Sequence, residues 1–559
     1  MARNPHLARI TDRVERILQS ESAGMNEQSG DAALAGAMAA LLNRGNQMMD
    51  QGELIQAIEA YRDLISLAPQ FGPGYRNLAL ALEQAGELAE ALSVCRQAVN
   101  LRPNDLEAYL AMASLLLKLE RTDQAISMYQ LAALAAPGRS DVQASLAAAL
   151  TRQGRLDEAS AACRKAIELS PQNAGAYLNL GIIHSNKDDP EGAVEAYRKA
   201  ISIDPNLPGG FANLGLALSN LGLSEAAIEA SSRAIDLRPA DPQLHYHHAI
   251  LLLFAGDLKA GFREFEWRLS HPDPRFRPRS PDVPRWRGEH RNGRTLLIHA
   301  EQGLGDTLQF VRFVSAAAAT GGPVVLEVQP QLAELLRSSL DVTVISRDEP
   351  ARPFDLHVPL MSLAYELGTT METVPTKVPY IKAAPAKSAE WRQRLAKYSG
   401  FKVGVVWAAN PAPSYDRKRS LSAEAVLSRL LIPGVQLFSL QKEPRADDHP
   451  CLERLKGEVV DLGPHLANFA DTAAAASAMD LVITVDTSVA HMAAALGKPT
   501  WILLPHALCW RWLHEREDSP WYPTVRLFRQ HRPGDWESVL SRLPGEMERY
   551  AAEVRASAA

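Results

Sequence analysis

Residues 171–205 read PQNAGAYLNLGIIHSNKDDPEGAVEAYRKAISIDP, and this stretch decides the N-terminal half of the fold. Its apolar residues recur at helical spacing in two runs, which predicts helices over 173–186 and 190–203. Pro205 closes the second helix, because proline has no N–H with which to continue the hydrogen-bond ladder. The same proline recurs at a constant step of 34 residues, as Pro69, Pro103, Pro137, Pro171, Pro205 and Pro239. Small residues keep that register. Ala57, Ala91, Ala125, Ala159, Ala193 and Ala227 stand where paired helices must approach closely, and Gly52, Gly86, Gly154, Gly222 and Gly256 stand at the turn inside each pair.

A helix pair repeated every 34 residues has the tetratricopeptide period. From about Gly36 to Leu269 it gives about seven units over residues 36–270, expected to stack as an all-α superhelix. One position in the unit carries more than scaffold information. Eight residues after each proline, and at the equivalent place in the first unit, stand Asn43, Asn77, Ala111, Ser145, Asn179, Asn213 and His247. This position falls on the first helix of each pair, the helix that lines the inner surface of such a superhelix. An amide offers two donors and an acceptor, so Asn77, Asn179 and Asn213 are candidate ligands for the backbone of an extended peptide. The alternative is that they bond neighbouring helices.

Residues 1–35 read as a short helix followed by a linker rich in Ser, Gly, Glu and Asn between Ser20 and Asp31. A connector over 271–293 carries Pro272, Pro274, Pro278, Pro281 and Pro284, with Arg275, Arg277, Arg279, Arg285 and Arg287 interleaved. Trp267 and Trp286 argue for a packed boundary there, and the arginines for a solvated face or inter-domain ion pairs. From Arg294 short β-branched runs alternate with helices. Residues 295–300, 324–328, 342–346 and 356–360, then 401–407, 435–440, 481–486, 500–504 and 525–528, predict two Rossmann-like α/β halves. These halves span 294–390, the acceptor side, and 391–559, the donor side, with a C-terminal helix. Ligands are expected in the cleft at the carboxyl ends of the strands.

Bulk properties exclude more than they assign. A chain of 559 residues is too long for one core. A net charge of -6 supplies no basic field for a polyanion, so nucleic acid is not an expected partner. Cys95, Cys163, Cys451 and Cys509 are too scattered for a zinc or redox motif. The first twenty residues lack the apolar core of a signal peptide, and no run approaches the ~20 apolar residues that span a bilayer. A cytoplasmic protein without a membrane span is expected.

Two loops carry candidate chemistry. The first predicted strand of the α/β region ends in His299-Ala-Glu-Gln-Gly-Leu-Gly-Asp306, which delivers Asp306 to the first turn of a helix at the cleft. An aspartate there also reads as a simple helix cap. In the second half the strand 481–486 runs into Thr487-Ser-Val-Ala-His491. The exposed N–H groups of that helix start, with Thr487, Ser488 and His491, suit the diphosphate of a nucleotide sugar. The half contains no Asp-x-Asp pair of the kind that holds a divalent ion on a diphosphate. Neither a metal nor a cofactor is therefore expected. Lys418 and Arg419, at a strand end, are candidate partners for the leaving phosphates, and Lys442 is another.

These two motifs, with Trp510-Arg-Trp512 and Ser519-Pro-Trp-Tyr-Pro523, resemble the heptosyltransferase-like inverting transferases of GT-B fold, glycosyltransferase family 9. The chain resembles more closely a bacterial set in which tetratricopeptide repeats are fused to such a domain, over nearly all of its length after residue 36. The resemblance implies Asp306 as catalytic base and Thr487, Ser488 and His491 as the donor-phosphate helix. It further implies Arg419 or Lys418 as the cation that steadies the leaving group, and 505–511 as lining of the donor pocket. Cys509 departs from the pattern, which has a polar or acidic residue before the Trp-Arg-Trp. The asparagine ladder resembles that of the O-GlcNAc transferases. The implied activity is metal-independent, inverting transfer of a sugar to Ser or Thr hydroxyls of a protein held by the repeats. Flagellin is one candidate acceptor and a nonulosonic acid one candidate sugar. Transfer to lipopolysaccharide or another glycan, or a non-catalytic scaffold, are the alternatives.

Overall fold

The computed structural model describes residues 27–271, 282–350, 352–409, 419–506, 509–514 and 516–558. The expected N-terminal helix and most of the linker, the connector from Pro272 to Pro281 with Arg275, Arg277 and Arg279, and Lys418 lie outside the described residues.

Fourteen helices form seven pairs among the described residues: α1 (Glu27–Asp50) with α2 (Leu54–Leu67), α3 (Gly72–Gln84) with α4 (Leu88–Leu101), α5 (Leu106–Lys118) with α6 (Thr122–Ala135), α7 (Ser140–Arg152) with α8 (Leu156–Leu169), α9 (Ala174–Asn186) with α10 (Pro190–Ile203), α11 (Pro208–Asn220) with α12 (Ser224–Leu237), and α13 (Pro242–Phe254) with α14 (Leu258–Phe265). The six in-phase alanines are all buried. Close approach within a pair is also visible at glycines of the first helix: a Cβ added at Gly45 or Gly181 would collide with the rings of Tyr61 and Tyr197 on the partner helix. The turn inside each pair needs left-handed backbone, which glycine supplies at five positions. In the same register Glu120 (φ 59°) and Asp188 (φ 58°) adopt it without glycine. Three of the repeat prolines also lend their carbonyls as acceptors: Tyr75 donates to Pro69 at 3.1 Å, Tyr109 donates to Pro103, and His245 bonds Pro239 at 2.9 Å.

The chain divides into two compact units. One holds the described residues up to Lys187 with Glu195–Pro205, and the other holds Asp188–Val194 with Asn206 onward. The last two helix pairs therefore belong with the α/β region. Phe262 of α14 meets Phe310, Trp510 and Trp521 edge to face at 6.0, 5.9 and 6.4 Å between ring centroids. Asn220, at the end of α11, lends its carbonyl to His506 Nε2 at 3.2 Å. The connector emerges with Trp286 fully buried, its backbone N–H donated to the His357 carbonyl at 2.9 Å and its indole N–H to the Glu289 carbonyl at 2.8 Å.

Two parallel sheets follow. β1 (Leu296–His299), β2 (Val324–Val328), β3 (Thr343–Ser346) and β4 (Leu356–Pro359) lie in the order β3-β2-β1-β4. β5 (Phe401–Val406), β6 (Val435–Ser439), β7 (Val459–Asp461), β8 (Leu481–Val485), β9 (Thr500–Leu504) and β10 (Val525–Arg529) lie in the order β10-β9-β8-β5-β6-β7. Strand order reverses at β1/β4 and at β5/β8, and loops diverging from such a switch point open a crevice at the carboxyl ends. All nine expected strands are present; β7 is an addition, too short to show a period. Arg312 ties the halves together: its Nη1 donates to Pro375 at 3.0 Å and to Trp521 at 2.7 Å, and its Nη2 donates to Tyr380 Oη at 2.9 Å.

Candidate active site

β1 ends at His299, and the chain turns sharply through Gln302, which takes a left-handed φ of 56°, into α15 (Leu304–Phe310). Asp306 lies in the first turn. Its Oδ2 accepts the Gly303 N–H at 3.0 Å, so the side chain does cap its helix. Its Oδ1 forms an ion pair with Arg511, and the two side chains are 16 % and 18 % exposed. Burial works against the charge on Arg511, yet Asp306 first, then Cys509 and Asp486, raise its pKa overall, so the guanidinium stays charged. Cys509 lies 3.7 Å from Arg511 Nη1, and burial pushes its thiol up to about 11, which keeps it protonated at neutral pH.

β8 is buried along its whole length and delivers Asp486 and Thr487 to α16 (Ser488–Ala495), for which Thr487 is the N-cap residue. Thr487 and Thr484 hydroxyls lie 3.2 Å apart. Helices α15 and α16 meet across the two halves at Gly305. A Cβ there would stand 3.0 Å from His491 Cδ2 and 3.6 Å from Ser488 Cα, so the absent side chain is what permits the approach. The loop bearing Asp306 and the helix start bearing Ser488 are thereby brought together. The first N–H groups of α16, which no helix can satisfy internally, point out of its N-terminus with the positive end of its dipole.

His491 lies in the first turns of α16, between its own helix and the aromatic residues that follow β9. The ring is buried, stacked on Trp512 at 5.1 Å between centroids, and its Nδ1 lies 2.9 Å from Tyr522 Oη. Burial, reinforced by Arg511 and Arg312, holds its pKa well below the usual histidine value. The imidazole is therefore neutral at neutral pH, and its ring packs against Gly305, where an added Cβ would stand 3.0 Å from Cδ2.

Arg419 stands where its strand-end position suggested: Nη1 donates to the Asp486 carbonyl at 3.1 Å, beside the start of α16. Lys442 donates to the Ala467 carbonyl at 2.9 Å. Two further cations come from the region after β9. Arg511 pairs with Asp306, and Arg529, at the end of β10, donates to Leu513 at 2.7 Å. The sequence offered no signal for Arg529 beyond its place at a strand end.

On the repeats, Asn77 Nδ2 donates to Asn46 Oδ1 at 3.1 Å and Asn179 Nδ2 to the Ala144 carbonyl at 2.9 Å. Both bonds reach back to the first helix of the preceding pair, which is the structural alternative for this ladder. Each amide is half-buried, and Asn77 also hydrogen-bonds the Tyr61 hydroxyl. Asn213 is half-buried on α11. Among the described residues no group of three or more His, Cys, Asp or Glu could hold a metal ion, and no helix is long and apolar enough to cross a membrane.

Known proteins match both parts of the chain. Residues 369–503 match glycosyltransferase family 9 (heptosyltransferase), a span that includes α16 but not Asp306. Tetratricopeptide repeats match at 31–105, 82–149, 147–188, 174–207 and 210–241. The chain is similar to the protein FlbA of Caulobacter vibrioides, at 28 % identity over 348 residues, covering 56 % of this chain and 57 % of that protein. It thus spans little more than half of that relative's length. Among solved structures, the anaphase-promoting complex hetero-tetramer Cut9–Hcn1 is similar at 18 % identity and a TM-score of 0.36, covering 46 % of this chain and 49 % of that one. YrrB, described as a tetratricopeptide-repeat protein with an unusual peptide-binding site, is similar at 24 % identity and a TM-score of 0.27, covering 34 % and 96 %.

Proposed function

We propose that this chain, which joins tetratricopeptide repeats to a glycosyltransferase family 9 domain of GT-B fold, transfers a sugar from a nucleotide donor to Ser or Thr hydroxyls of a protein held by its repeats. The observation that carries the reading is the Gly305 contact, which sets Asp306 beside the N-terminus of α16 across the two halves. In this reading Asp306 takes the proton of the acceptor hydroxyl as that oxygen attacks the anomeric carbon from the face opposite the leaving group. The product is inverted, and no metal takes part. The leaving phosphate is received by the N–H groups of Ser488 and Val489, the hydroxyls of Thr487 and Ser488, and Arg419. Preorganised donors of this kind stabilise developing charge without reorganising. Positioned general-base catalysis contributes typically ~10² to 10⁴ in rate.

The acceptor is read as an extended segment whose backbone the side-chain amides of Asn77, Asn179 and Asn213 grip. Flagellin is the acceptor to try first, with a nonulosonic acid as the sugar, in the cytoplasm where activated sugars are made. Purified full-length chain incubated with a panel of nucleotide sugars tests the reading. Donor cleavage should rise when flagellin is added and the flagellin should gain the sugar mass. Cleavage stimulated only by a lipopolysaccharide acceptor would move the function to glycan assembly.

A further inference from the structure

The last helical repeat ends in Phe265-Glu-Trp-Arg-Leu269, wound as a 3-10 turn over Glu266–Ser270 that turns Arg268 inward until it is wholly buried. Its guanidinium joins three separate pieces of chain. Nη1 donates to Phe265 O at 3.1 Å and Glu266 Oε1 at 2.7 Å; Nη2 donates to Glu301 Oε1 at 2.6 Å and Ser362 Oγ at 2.8 Å. Glu301 follows β1 and Ser362 follows β4, so the fork bridges the carboxyl ends of two adjacent strands. Glu266 in turn pairs with Arg285, which also holds Glu366 at 2.8 Å.

Glu301 immediately precedes Gln302, the residue in left-handed backbone, and that turn leads within four residues to Asp306. The other side of the turn is held by Gln329, whose Nε2 donates to Gln302 O at 3.2 Å and whose Oε1 accepts from Thr307 Oγ1 at 3.0 Å. A buried ion pair is a poor way to gain stability, since apolar residues of the same volume often do as well or better. What it supplies is directional geometry, and only a planar fork reaches Glu266, Glu301 and Ser362 together.

We infer that Arg268, contributed by the last repeat, is a positioning residue for the proposed transfer, fixing the Glu301–Gly303 turn that presents Asp306. This rests on the reading of Asp306 as the base. The final repeat is then part of the catalytic framework as well as of the acceptor scaffold. A misplacement near 1 Å at a reacting group costs about 10²-fold in rate.

The test uses the full chain, with kcat, donor KM and thermal unfolding measured for Arg268→Lys, Arg268→Met and the double variant Arg268→Met/Glu301→Leu, beside Asp306→Asn. The Lys variant keeps the charge and loses the fork. It should melt below wild type because Lys reaches fewer of these acceptors, yet remain more stable than Arg268→Met, with kcat per folded protein reduced ~10- to 100-fold and donor KM within about threefold. The double variant removes the stranded buried charge and should recover melting without recovering kcat. Wild-type kcat in the Lys variant, or recovery of kcat together with melting in the double variant, overturns the inference and leaves Arg268 a structural pair. An Asp306→Asn protein of normal turnover would instead overturn the assignment of the base, whatever Arg268 does.

Discussion

Replacing Asp306 by Asn separates the two roles that the side chain holds in the structure. Its carboxylate serves Arg511 through Oδ1 and the Gly303 N–H through Oδ2. The amide has one oxygen, so one of those donors must then face an NH₂ group. Both donors face an ionised acceptor, so losing either bond costs about 1.5–3 kcal/mol. Both side chains are less than one-fifth exposed, so solvent screening removes little of this. The expected stability loss is therefore about 1.5–3 kcal/mol, and the variant should fold. Loss of the proton acceptor should lower kcat by ~10² to 10⁴, which is about 3–5 kcal/mol on the barrier. The barrier effect exceeds the stability effect and appears at saturating donor and acceptor, where partial unfolding cannot mimic it once active protein is counted. The assay is acceptor-dependent donor cleavage, with donor affinity measured by calorimetry on the same preparation. Turnover within about threefold of wild type would refute the reasoning and reduce Asp306 to a helix cap and ion-pair partner.

Three further outcomes are expected. His491 has a folded pKa depressed by burial, so its contribution to stability is complete above the unfolded value near 6.5 and is lost as pH falls below it; unfolding midpoints from pH 7.5 to 5 should slope less in His491→Asn than in wild type, and equal slopes would remove His491 as a source. Changing Asn77, Asn179 and Asn213 together to Ala should weaken acceptor pull-down by about 0.5–1.5 kcal/mol per lost bond while donor hydrolysis persists, and equal recovery would make the ladder purely structural. A fragment ending at Pro205 should remain monomeric on a sizing column because each repeat rests on its neighbours, whereas one ending at Ser270 bares Phe254, Leu258, Phe262 and Phe265 and should self-associate, with identical behaviour of the two contradicting the division of the chain.

The repeats were legible because a strict period survives any local ambiguity. A proline, an alanine and a turn residue in phase fix helix bounds more firmly than propensity does. Even so, Glu120 and Asp188 show that the turn geometry is enforced by the helix pair and only eased by glycine. The parallel strands were legible as buried β-branched runs, and β7 escaped because three residues at a sheet edge carry no period. At the site, the loop containing Asp306 and the start of α16 could be placed from glycines and strand ends. The Asp306–Arg511 pair could not, since the partners lie 205 residues apart and an arginine in sequence reads as surface. Arg268 and Glu301 were hidden for the same reason: a buried ion pair has the composition of a solvated one. At His491, helix position alone does not reveal that Trp512 and Tyr522 close over the ring.

The central claim, sugar transfer to a protein hydroxyl, is tested most directly by intact-mass spectrometry of cellular proteins, flagellins first, from cells with and without this chain. The account predicts that one protein loses a sugar-sized mass, or a multiple of it, when the chain is absent, and that Asp306→Asn fails to restore it. Unchanged protein masses with a sugar missing from lipopolysaccharide would contradict it.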